Sequence, residues 1–190
     1  ALDGEIIKRR KMISPLKELD FCVWYTDFAH HHIQDILKEQ RSLLSRPIDF
    51  RVIPHGVESS TFYPVSEDPV EKQLIARREA FPDLKTPEDT FIVLNANSPA
   101  PRKRIDLSLR AFALFAQGKS VNEVRLCLHH TFSNGQFDRF TKELIQELKL
   151  EDYLISSGLS KDQSILSNKQ LNFLYNACDV GINTCMGEGW

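Results

Sequence analysis

Cysteine pairs, long apolar runs and a dominant charge are all missing from this chain. Its four cysteines, Cys22, Cys127, Cys178 and Cys185, lie far apart with no Cys-x-x-Cys among them. That spacing excludes the common zinc and dithiol motifs and leaves buried, reduced thiols of a cytoplasmic protein as the simplest account. No apolar run approaches the roughly 20 residues that a membrane span needs. The basic segment Lys8-Arg9-Arg10-Lys11 is not followed by the apolar core of a signal peptide. A formal net charge of −2 offers no general attraction to nucleic acid and does not indicate a membrane surface, so any affinity for phosphate must be local. Gly118-Lys119-Ser120 lacks the glycine five residues earlier, where Ala113 stands, so no complete Walker-type Gly-x4-Gly-Lys-Ser/Thr occurs, and neither does Gly-x-Gly-x-x-Gly or Gly-x-Ser-x-Gly, which leaves kinase, dehydrogenase and hydrolase readings without support.

What is present is an alternation of short apolar runs with amphipathic stretches over 190 residues, 42% of them hydrophobic and 26% charged. This pattern predicts an α/β sheet rather than a bundle or sandwich. Phe21 to Tyr25 reads as a strand, Asp27 to about Leu44 as a helix with Ile33, Ile36, Leu37 and Leu44 on one face, and Phe50 to Ile53 as a second strand. Pro54 to Pro64, with its prolines, glycine and Ser-Ser pair, reads as a connection between domains.

A second series follows. Asp68-Pro69 opens a helix to about Ala80, with Asp as cap and Pro at the first helical position. Phe91 to Ala96 is a strand, and Arg104 to Gln117 a helix whose stripe is Ile105, Leu109, Phe112, Ala113 and Ala116. Val124 to Leu128 is a strand, Phe137, Phe140, Leu144, Ile145 and Leu148 repeat at helical spacing, and Tyr153 to Ile155 is a short strand. Ser167-Asn168-Lys169-Gln170 is a capping box for a helix facing Leu171, Leu174 and Tyr175 inward, and a strand from Asp179 to Asn183 closes the series. The expected architecture is a doubly wound, Rossmann-like sheet.

Three ordered segments carry a resemblance. They are Val52-Ile53-Pro54-His55-Gly56-Val57-Glu58 followed by Phe62-Tyr63-Pro64, the segment Leu94-Asn95-Ala96-Asn97-Ser98-Pro99-Ala100-Pro101-Arg102-Lys103-Arg104, and the run from Asn176 through Val180 and Gly187-Glu188-Gly189 to Trp190. Together they resemble the retaining glycosyltransferases of family 4, which have the two-domain GT-B fold. The resemblance implies that residues 1–53 end an N-terminal, acceptor-side Rossmann-like domain, that 54–66 form the hinge, and that 67–190 make up most of a C-terminal donor-binding domain, incomplete at its C-terminus. It also implies a metal-independent enzyme without a cofactor. That enzyme would transfer a hexosyl group from a nucleotide-sugar, such as GDP- or UDP-hexose, to a sugar or glycan hydroxyl with retention.

The site implied by this resemblance is local. Lys103 corresponds to the lysine that clamps the donor diphosphate, with Arg102 a weaker candidate, and Asn97 stands beside the position of the clamp's arginine. The clamp's arginine, five residues earlier, is replaced by Ser98. Gly187, Glu188 and Gly189 match the start of a Glu-x7-Glu motif whose first carboxylate touches sugar hydroxyls, and Thr184 lies on the strand end before it. Ser157, Gly158 and Leu159 fall where the family cradles the base, largely through backbone groups. Asp3 takes the place at which many members carry an active-site histidine. His30, His31 and His32 are consecutive on a predicted helix, about 100° apart, and cannot converge on one metal ion. Two rival functions are a catalytically silent nucleotide-sugar-binding module and a sugar-nucleotide epimerase of the same architecture. Uncovered sheet edges and helix faces lead us to expect that the chain by itself self-associates, and the resemblance implies that it does not turn over alone, because the acceptor-binding half and the second Glu of the motif are not part of it.

Overall fold

The computed structural model describes residues 16, 18–39, 48–98, 100–129, 136–159 and 166–187. The chain divides into two compact units, with the break between Val57 and Glu58. Asp3, Glu188 and Gly189 lie outside the described residues, as does the end of the first helix near Leu44.

In the first unit, strands β1 (Phe21–Trp24) and β2 (Asp49–Val52) pair in parallel, with helix α1 (Asp27–Glu39) between them in sequence. The predicted stripe does the packing. Ile33, Ile36 and Leu37 are buried with Leu16 against Cys22, Trp24, Ile48 and Phe50. The three consecutive histidines do not converge on one point: the His30 ring lies 6.0 Å from Phe50, bonds Gln34 at 2.8 Å and stacks on His31 with centroids 5.8 Å apart, whereas His32 stacks on Phe28.

The second unit is a four-stranded parallel sheet in the order β5-β4-β3-β6, built from β3 (Phe91–Asn95), β4 (Val124–Leu128), β5 (Leu154–Ile155) and β6 (Val180–Gly181). Helices α3 (Ile105–Phe115) and α4 (Gln136–Glu147) cover one face, where Ile105, Leu109, Phe112, Leu144 and Ile145 meet Val93, Val124 and Leu126. On the other face, α2 (Pro69–Ala80) and α5 (Asn168–Ala177) enclose Ile92, Leu94, Cys127 and Leu174. Helices on both faces explain why β3 is a continuous apolar run instead of alternating. Each fully buried Leu, Ile or Phe here contributes roughly 1.5–3 kcal/mol.

The caps follow the sequence. The Asp68 carboxylate accepts from the amides of Val70 and Glu71 at 2.9 and 2.8 Å, and Ser167 and Gln170 form the reciprocal capping box. Three expectations need correction. Tyr175 is not inward but 45% exposed, because its ring lies beside that of Phe62, 6.0 Å away, while Leu171, Phe173 and Leu174 take the side of α5 that packs on the sheet. Strand β6 ends at Gly181, not Asn183, since the chain leaves β3 to form the polar loop described below. The third helix starts one residue late, after a 3-10 turn at Pro101–Lys103.

Candidate functional site

All four strands of the second unit point their carboxyl ends the same way. From β3 the chain winds outward through β4 to β5, then returns to place β6 on the opposite side of β3. The order reverses between β3 and β6, and open α/β sheets take ligands at the carboxyl end of such a reversal. A cavity of about 420 Å³ opens alongside, lined by Leu94, Ala96, Asn97, Tyr175, Asp179 and Asn183 among others.

Two loops meet there. The first leaves β3 at Asn95, a polar side chain with 0% exposure at the end of an apolar strand. Its carboxamide oxygen accepts from the Asn97 amide at 3.0 Å and from the Asn97 side chain at 3.1 Å, while its nitrogen donates to Ser108 Oγ at 2.8 Å. The loop then makes the 3-10 turn that carries Arg102 and Lys103. Arg104 follows at φ 48° and ψ 47°, in the left-handed region, a conformation that costs a residue with a Cβ about 1–2 kcal/mol. The surrounding bonds hold this kink in place. The Arg104 amide donates to the Pro101 carbonyl at 3.2 Å, and its guanidinium pairs with Asp106 at 2.8 Å. That pair raises the pKa of Arg104 and lowers that of Asp106.

The second loop runs from Ile182, whose amide extends the β3 pairing to Leu94 at 2.8 Å. The Thr184 hydroxyl donates to the Arg104 carbonyl at 2.7 Å, lies 3.0 Å from the Lys103 carbonyl, and meets Ser108 Oγ at 2.8 Å. The Met186 amide donates to the Arg102 carbonyl at 2.8 Å. Arg102 Nη1 reaches the Gly187 carbonyl at 3.0 Å and Cys185 Sγ at 3.4 Å. Asn97 Nδ2 crosses to Asn183 Oδ1 at 3.3 Å.

Asn97, Arg102, Lys103, Thr184 and Gly187 are therefore brought together, and Ser98 is exposed on the first loop. Arg102 braces the second loop through Gly187, and Thr184 holds backbone carbonyls. Ser157, Gly158 and Leu159 share the same end of the sheet but lie two strand positions from β3, about 10 Å across. They are tied locally: the Gly158 amide donates to the Ala80 carbonyl at 2.8 Å, and the Gln170 side chain donates to the Leu159 carbonyl. Among the described residues no three His, Cys, Asp or Glu side chains converge as metal ligands, and no helix is long and apolar enough to cross a membrane.

Sequence reasoning missed Asn95 and Ser108. The signals were present, as a polar residue ending the run Phe91-Ile92-Val93-Leu94 and a serine three positions after Ile105 on the buried face of α3.

No protein-family model matches the chain, and no curated protein matches it by sequence. Solved structures do. An α,α-trehalose 6-phosphate synthase from Burkholderia multivorans superposes with a TM-score of 0.60 at 12% identity, over 90% of this chain and 40% of that one. A UDP-forming α,α-trehalose-phosphate synthase from Burkholderia vietnamiensis gives 0.57 at 14% identity, over 90% and 39%. The chain thus spans about 40% of the length of the structures it matches. Both neighbours are GT-B glycosyltransferases, and this chain has the same α/β, GT-B-type Rossmann-like fold.

Proposed function

We propose that the chain supplies the donor-binding side of a family 4 glycosyltransferase, and that the full-length protein moves a hexosyl group from GDP- or UDP-hexose to a sugar or glycan hydroxyl with retention. The observation that carries this reading is the joining of the Lys103 turn to the Asn183–Gly187 loop at the strand-order reversal. Lys103 supplies a cation where a diphosphate would sit against the turn, and neutralising that group favours its departure. Glu188, next along the second loop, is assigned to the sugar hydroxyls. By the same resemblance Asp3 takes the place of the active-site histidine that faces the sugar. In this reading the enzyme is cytoplasmic and needs no metal, and the 190-residue chain alone is inactive and self-associates.

One observation favours a second reading. Ser98 is exposed in place of the clamp's arginine, which removes a charge from leaving-group stabilisation and suits a silent binding module. Titrating UDP and GDP into the full-length protein and its Lys103→Ala variant by calorimetry, alongside an assay of donor hydrolysis, tests both. Binding weakened about tenfold or more by Lys103→Ala, together with hydrolysis, supports the enzyme. The same binding without hydrolysis supports the silent module. Equal affinity in both proteins, or no binding in either, removes this turn from the donor site.

A further inference from the structure

Asn95, Ser108 and Thr184 form one directed chain of hydrogen bonds. The Asn95 carboxamide nitrogen donates to Ser108 Oγ at 2.8 Å, the Ser108 hydroxyl donates to Thr184 Oγ1 at 2.8 Å, and the Thr184 hydroxyl donates to the Arg104 carbonyl at 2.7 Å. This assignment gives every hydroxyl both a donor and an acceptor role. Asn95 and Ser108 have 0% exposure, and a fully satisfied polar chain in so dry a place is stiff. It starts on β3, the strand that carries the first loop, passes through α3, and ends on the second loop. The carbonyl it reaches belongs to the residue held left-handed next to Lys103.

We infer that Asn95, Ser108 and Thr184 are positioning residues that lock the Lys103 turn and the Asn183–Gly187 loop into one preformed diphosphate-binding surface. The inference rests on the donor-site reading above. If the hydroxyl of Thr184 were lost, the Arg104 carbonyl would lose a partner and the two loops could separate, so bound diphosphate would have to order them first. Asn95 makes the lock begin at the strand itself, since its oxygen also fixes Asn97.

The test uses the full-length protein, with UDP and GDP as titrants, and compares Thr184→Val, Thr184→Ser, Ser108→Ala and Lys103→Ala at a temperature at which each is folded. Thr184→Val should weaken diphosphate binding about tenfold while Thr184→Ser keeps it, and amide exchange should rise together at 102–104 and 184–187. A fold-only role would lower the melting temperature of Thr184→Val and Ser108→Ala with unchanged affinity, which overturns the inference while Lys103→Ala still shows its loss. If the wild type binds neither titrant, or Lys103→Ala binds as well as wild type, the donor-site reading falls and the inference with it. Ser108→Ala breaks the chain between Asn95 and Thr184 without altering either loop, so retained affinity there also overturns the inference should Thr184→Val fail to fold.

Discussion

The Arg77 guanidinium meets the Asp179 carboxylate at 2.5 Å, with Arg77 only 2% exposed. The same carboxylate accepts from the Ile92 amide at 2.7 Å and from Gln73 at 2.9 Å, and Arg77 also donates to the Ala177 and Pro87 carbonyls. One acid, immediately before β6, thus ties helix α2 to β3. Replacing it with alanine leaves a buried guanidinium and a strand amide without their partner, and removing one member of a buried pair costs about 3–5 kcal/mol. Asp179→Ala should lower the urea midpoint correspondingly at unchanged m-value. A loss under about 1 kcal/mol would show that water replaces the carboxylate and that the knot is not structural.

How much of this was legible follows from the range of the forces involved. The Asp68 and Ser167 caps are local, with donor and acceptor within three residues, so sequence showed them. Helix α2 carries no apolar stripe to announce its packing. It buries Ala76, Ala80 and a charged Arg77, and the partner that makes this tolerable is 102 residues away. The same holds for Asn95 and Ser108, whose burial depends on a loop that arrives 76 residues after Ser108. The left-handed Arg104 was hidden for a different reason, because glycine or asparagine ordinarily marks such a position. The basic turn itself was visible from residue type and place after a strand, but the bracing role of Arg102 was not.

The thiols should separate by reactivity. Burial pushes the Cys127 thiol up to about 12, and burial, followed by the neighbouring Cys127 and Asp179, raises Cys178 further. Only thiolate reacts, so both should label with iodoacetamide only as fast as the protein opens. Cys185, half-buried on the second loop, should label first of the three. Mass spectrometry of partly alkylated protein gives the order, and early label on Cys127 would contradict the closed α2–α5 layer.

Acid should weaken the second unit through His129. Burial lowers its pKa below 6.5, so the unfolded chain takes up a proton at a higher pH than the folded one. The stability this neutral imidazole permits is complete above about pH 6.5 and is lost as pH falls from there through the folded value. Melting temperatures followed from about pH 8 to about pH 5 should fall less for His129→Gln than for wild type. Parallel curves would mean that the ring stays hydrated in the folded state.

Ser98→Arg in the full-length protein should strengthen diphosphate binding, because the position is exposed on the loop that carries Lys103 and a charge-assisted hydrogen bond is worth roughly 1.5–3 kcal/mol. Calorimetry with UDP and GDP reads the effect directly. Unchanged affinity would mean that the turn does not present position 98 to the phosphates.

Glu188→Gln separates sugar from nucleotide. The resemblance assigns this carboxylate to sugar hydroxyls, whose hydrogen bonds strengthen as positive charge develops on the ring, whereas a nucleoside diphosphate has no such sugar. The glutamine keeps the shape and removes the charge. In the full-length protein, kcat should therefore fall at least about tenfold while UDP and GDP affinity stays nearly constant. Equal losses in both would move Glu188 onto the nucleotide, and no loss in either would make it a solvent-facing acid in the turn after Gly187, leaving Lys103 as the sole charged group assigned to the donor.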